Sequence, residues 1–165
     1  MMTLHLVITN LCDRTCKHCC NKLYDTPNMD YVTDEDFEKS DILCLTGGEP
    51  FVYANPCNLA KRYRADYPHL SAILVYTNAK ELYEYLCDGG RLHDIDGLNI
   101  SCKTTKDAEI FNTYLRHDER IKALPQNRLY DFTKKAVANE HFEDINRTWQ
   151  KEFKPAENCI FRRGN

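Results

Sequence analysis

Three cysteines stand within eight residues near the start of the chain: Cys12, Cys16 and Cys19, in a C-x3-C-x2-C spacing. Thiolates this close in sequence can wrap one metal centre, and soft sulfur ligands select iron-sulfur clusters, zinc or Cu(I). A structural zinc site needs a fourth ligand and usually shows two paired knuckles. Here no second C-x2-C exists, and Cys44, Cys57, Cys87, Cys102 and Cys159 are dispersed. Three ligands without a paired fourth leave a cubane with one open iron, where a small molecule can coordinate. Further along stands Thr46-Gly47-Gly48-Glu49-Pro50. Its paired glycines let backbone approach a ligand closely, and its carboxylate can accept from an ammonium group. A third motif, Thr77-Asn78-Ala79, follows another apolar run. Finally, Asn99, Ser101 and Lys103 alternate with Leu98, Ile100 and Cys102, so a strand there carries its polar set on one face.

These residues need elements to hold them. Short apolar runs predict strands at Leu4 to Thr9, Ile42 to Thr46, Ala72 to Thr77, Gly97 to Cys102 and Arg128 to Phe132. Helical patterns lie between them at Thr33 to Lys39, Asn58 to Tyr67, Lys80 to Cys87 and Asp107 to Leu115. The first has a capping-box start, Thr33 with Asp36. Phe142, Ile145, Trp149 and Phe153 fall at helical spacing and predict a last helix packed on the sheet. Strand-helix alternation implies right-handed crossovers and a mainly parallel sheet. Five or six strands are too few for an eight-stranded barrel of about 250 residues, so an open sheet or partial barrel is expected. Either collects ligands at the carboxyl ends of its strands, where all the motifs fall. A parallel strand covered on both sides should be apolar throughout, so the polar face at Asn99 predicts an interior ligand. His5 and Thr9 share a face of the first strand and are further inward candidates.

The cysteine triad resembles the cluster loop of the radical S-adenosylmethionine (radical SAM) superfamily. Gly47-Gly48-Glu49-Pro50 resembles that family's GGEP motif, and Thr77-Asn78-Ala79 its Thr-Asn-Gly. The resemblance covers Leu4 to Lys103, with His18 where the family usually has an aromatic residue before the third cysteine. It implies an α/β fold, a partial (β/α)5-6 TIM-like barrel in a single domain over 1–165, with the cluster loop at 12–19. It implies a [4Fe-4S] cluster on Cys12, Cys16 and Cys19, and SAM held by Gly47, Gly48, Glu49, Pro50, Thr77, Asn78, Asn99, Ser101 and Lys103. The GGEP motif would receive the methionine amino group of SAM; Asn99, Ser101 and Lys103 would meet its ribose and carboxylate. The implied reaction is reductive cleavage of SAM to methionine and a 5′-deoxyadenosyl radical that abstracts hydrogen from a substrate. A one-electron donor of flavodoxin or ferredoxin type is the implied partner. The short chain also resembles the activating enzymes that install a glycyl radical on a partner protein, as in anaerobic ribonucleotide reduction. A likeness to 7-carboxy-7-deazaguanine synthase, a peptide- or nucleotide-modifying enzyme, and a non-catalytic iron-sulfur or metal-binding module on the same fold are the alternatives.

Composition narrows the rest. A length of 165 residues suits one domain. With 22 basic and 25 acidic residues the net charge is -3, which removes the case for a dedicated nucleic-acid or anionic-membrane binder. No apolar stretch approaches the roughly 20 residues that span a bilayer, and the run Leu4 to Ile8 is too short for an export signal. Nine cysteines, an odd number, then fit reduced thiols in a cytoplasmic protein. Cys44, Cys87 and Cys102 are expected in the core, Cys57 at a helix start, and Cys20 as a spectator thiol. The segment 139–165 is the least legible. Asn158 to Arg163 is expected either as a lid over the open mouth or, at Arg162-Arg163, as a solvated tail.

Overall fold

The computed structural model describes residues 1–11, 26–146 and 157–164, and Cys12, Cys16, Cys19 and Cys20 lie outside them. Runs rich in Leu, Ile and Val form β1 (Thr3–Thr9), β2 (Ile42–Gly47), β3 (Ala72–Asn78) and β4 (Gly97–Cys102). They continue into β5 (Asn127–Asp131), β6 (Phe142–Asn146) and β7 (Cys159–Arg163). All pair in parallel in a single sheet of order β6-β5-β4-β3-β2-β1-β7. The helices are α1 (Asp34–Glu38), α2 (Pro50–Tyr53), α3 (Pro56–Asp66), α4 (Ala79–Cys87), α5 (Thr105–Thr113) and α6 (Glu119–Lys122). The protein is therefore α/β, and among the described residues no helix is long and apolar enough to cross a membrane.

Local chemistry sets the helix starts. Thr33 and Asp36 form the expected capping box, and Thr104 with Asp107 forms a second at α5. Pro50 and Pro56 occupy first helical positions, where a missing N–H costs nothing.

The two faces of the sheet differ in kind. Leu4, Leu6, Leu43, Leu45, Ile73, Val75, Leu98, Ile100 and Leu129 meet Phe37, Ala60, Leu82, Phe111 and Ile121 from the helices in one core. Only strand residues contribute to the buried cluster on the other face: Cys44, Ala72 and Leu74, with Ile42 and Tyr76 against them. His5, Asn99 and Phe161 share that second face by register.

Several expectations are corrected at the carboxyl half. Phe142 to Ile145 is strand, not helix, while Trp149 and Phe153 lie outside the described residues. A three-residue spacing fits a helical stripe, but in a strand it points two side chains to opposite faces. Phe142 packs edge-on against Phe111, with centroids 5.0 Å apart, and Ile145 pairs with Tyr130. The segment pairs in parallel with β5 from Asn127 to Asp131. Arg162 and Arg163 are neither tail nor lid. They close β7 against β1, where Arg162 Nε donates to Asp36 Oδ2 at 3.1 Å and Arg163 lies 3.9 Å over the Tyr31 ring. Cys44, Cys57 and Cys102 are buried, but Cys87 is exposed at the end of α4.

Candidate functional site

The sequence motifs meet at the carboxyl ends of β1 to β4. A register shift between Val7 and Thr9 takes Thr9 out of the row of His5. The Thr9 hydroxyl instead accepts from Leu11 N at 3.1 Å. The Gly48 N–H donates to Thr9 O at 2.7 Å, and the Glu49 N–H donates to Leu11 O at 2.9 Å. The turn after β2 thus grips the residue directly before Cys12. Both glycines are needed for that grip. A methyl on Gly47 would lie 2.0 Å from Thr9 O, and one on Gly48 would lie 1.9 Å from Leu11 O. Gly47 also has φ +130, which side chains rarely adopt. The close approach that the glycines permit is to the chain's own backbone.

Glu49 is likewise turned inward. It is fully buried, caps α2 and accepts from Phe51 N. Its carboxylate also accepts from Thr77 Oγ1 at 2.5 Å, from Asn78 N at 2.9 Å and from Asn78 Nδ2 at 3.1 Å. Without a ligand, the Glu49 carboxylate ties the ends of β2 and β3, with Thr77 and Asn78 in the same knot. Pro50 is buried at the first position of α2. Asp107, fully buried, forms a similar knot at the end of β4 and accepts from the backbone N–H groups of Lys80, Lys103 and Thr104.

Asn99 and Ser101 stand on the second face, opposite Tyr76 and Asn78 of β3 and Arg128 and Tyr130 of β5. Ser101 and Lys103 are half-buried and Asn99 is fully buried. Rings gather around them. His5 stacks on Phe161 with centroids 4.4 Å apart and lies 6.0 Å from Tyr76, while Tyr76 and Tyr130 are 5.7 Å apart. Sequence reasoning missed Tyr76, Tyr130, Arg128 and Phe161, because their membership of this face depends on register between strands.

Among the described residues no three His, Cys, Asp or Glu side chains gather as a metal site. Burial pushes the Cys44 thiol up to about 12, so it keeps its proton in the core. No protein family, curated protein or solved structure matches the chain.

A buried carboxyl and a half-buried imidazole are expected to make stability depend on pH in opposite senses. Burial pushes the Glu49 carboxyl up from 4.5 to about 7, against the donors on Thr77 and Asn78 and with help from nearby Glu81. Burial lowers the His5 imidazole from 6.5 to about 4. A carboxyl raised on folding stabilises the protein below its unfolded value, and that contribution is lost as pH rises toward 7. An imidazole lowered on folding contributes above 6.5 and loses its contribution as pH falls toward 4. Relative to the unaltered chain, Glu49→Gln is expected to lose more stability at pH 5 than at pH 7.5, and His5→Phe more at pH 7.5 than at pH 5. Urea midpoints at the two pH values check this, and equal losses at both would contradict the assignment.

Proposed function

We propose that the chain is a radical SAM enzyme whose cluster ligands are Cys12, Cys16 and Cys19, which follow β1 in the sequence. The observation that carries the reading is the grip of the GGEP turn on Thr9 and Leu11, the residues that lead in sequence to Cys12. The sheet is read as a partial barrel with the Asn99 face inside. Support comes from rings two strands apart. Neighbouring strands lie about 4.8 Å apart, yet His5 and Tyr76, on β1 and β3, bring their centroids within 6.0 Å. Tyr76 and Tyr130, on β3 and β5, do the same and bring their hydroxyls to 3.5 Å. Such convergence is what a concave face produces.

The residues fit the proposed groups. Three thiols within eight residues match a [4Fe-4S] cluster with one open iron, and a buried polar amide at Asn99 matches a ligand inside the sheet. When bound, a cluster held by Cys12, Cys16 and Cys19 would pass on one electron from an external donor, which is the chemistry that reductive cleavage of SAM needs. The chain itself supplies positioning and exclusion of water. Gly47 and Gly48 seat the loop, and Glu49 locks the turn to β3. The groups that would meet SAM are the Gly47 to Pro50 turn, Thr77, Asn78, Asn99, Ser101 and Lys103. Lys103 supplies a cation suited to its carboxylate. A cytoplasmic setting and a flavodoxin- or ferredoxin-type donor complete the proposal.

Anaerobic reconstitution with iron and sulfide tests the site. About four irons per chain are expected, with the broad visible absorption of an iron-sulfur cluster, both lost in Cys16→Ala. A stoichiometric zinc complex that excludes iron would overturn the reading.

A further inference from the structure

Asn99 is fully buried, yet neither its amide oxygen nor its amide nitrogen has a hydrogen-bond partner among the described residues. Buried polar groups are nearly always paired, so an orphaned donor and acceptor on one side chain mark a place built for something else. Its surroundings indicate what. Tyr76 and Arg128 flank it in register, Tyr130 lies one pair further along, and the stacked His5 and Phe161 close the aromatic row. Asn99 also sits two residues, about 6.6 Å, below Ser101 along β4, away from the carboxyl end of the strand.

We propose that Asn99 reads the edge of a planar heteroaromatic ring carrying an adjacent donor and acceptor, seated among Tyr76, Tyr130 and His5. A carboxamide offers an N–H and a C=O side by side, which pair with the amidine edge of adenine or the lactam edge of guanine. Aromatic side chains supply the stacking that such rings favour. The proposal deepens the radical SAM reading, since the ring would belong either to the adenosyl group of SAM or to the substrate. Its test does not need the cluster.

Equilibrium dialysis of the full chain, with and without reconstituted cluster, uses adenosine, guanosine and purine riboside, which lacks the exocyclic amine. Adenosine or guanosine is expected to bind at least tenfold tighter than purine riboside. Asn99→Leu is expected to lose at least tenfold in that binding without a lower Tm, because it removes unpaired polar atoms. Competition by SAM assigns the ring to SAM; binding that persists with SAM assigns it to substrate. Binding of neither nucleoside, or equal binding by Asn99→Leu, overturns the proposal. If Asn99→Leu does not fold, Asn99→Asp, which keeps the size and loses the donor, gives the same readout. Nucleoside binding in a chain that never cleaves SAM would sink the enzymatic reading alone. SAM cleavage without nucleoside binding would sink this inference alone.

Discussion

Gly48→Ala is expected to cost about 3 kcal/mol or more and to abolish iron loading, although it adds a single methyl group. That methyl would stand 1.9 Å from the Leu11 carbonyl oxygen, a separation that backbone cannot absorb by rotating a side chain. The turn must retreat, and with it go the hydrogen bonds from Gly48 N to Thr9 O and from Glu49 N to Leu11 O. Leu11 directly precedes Cys12 in the sequence, which is why iron loading is the readout. Gly89→Ala is the control. Gly89 has φ +83 but nothing within 4 Å of an added methyl. It is expected to cost only about 1 kcal/mol of backbone strain and to load iron normally. Urea midpoints and iron-to-protein ratios separate the two outcomes. Equal iron content in Gly48→Ala and the unaltered chain would contradict the proposed grip.

The second large effect is expected at Glu49. Glu49→Ala removes an acceptor from four donors at once: Phe51 N, Thr77 Oγ1, Asn78 N and Asn78 Nδ2. Each buried donor left unpaired costs about 1–3 kcal/mol, and partial relaxation brings the expected loss to about 4 kcal/mol. Glu49→Gln keeps one oxygen but turns an N–H2 toward groups that are themselves donors, so an intermediate loss of about 2 kcal/mol is expected. Equal stability in all three proteins, by denaturant unfolding at pH 7.5, would show that the carboxylate is not the tie between β2 and β3.

What is legible in the sequence is whatever depends on neighbours along the chain. The apolar runs at β1 to β4, the capping box at Thr33 and Asp36, and the alternation of Asn99 with Ile100 are local signals, and the structure matches them. What depends on distant pairing was hidden. Phe142 and Ile145 satisfy a helical spacing, but they pair with β5 as a strand. Arg162 looks like a tail until β7 pairs with β1 and carries it to Asp36. The acidic residue of the GGEP motif suits an ammonium on chemical grounds, but Thr77 and Asn78 reach it first, through a contact between strand ends. Cys87 fits the apolar pattern of α4 and still faces outward, because it falls at the last turn, beyond the buried Leu86.

The measurement closest to the central claim is SAM cleavage by the cluster-loaded chain. Reconstituted anaerobically and reduced with dithionite, it is expected to convert SAM to methionine and 5′-deoxyadenosine, read by mass spectrometry, while Cys16→Ala produces neither. A protein that holds its iron-sulfur cluster yet leaves SAM intact and unbound would contradict the account.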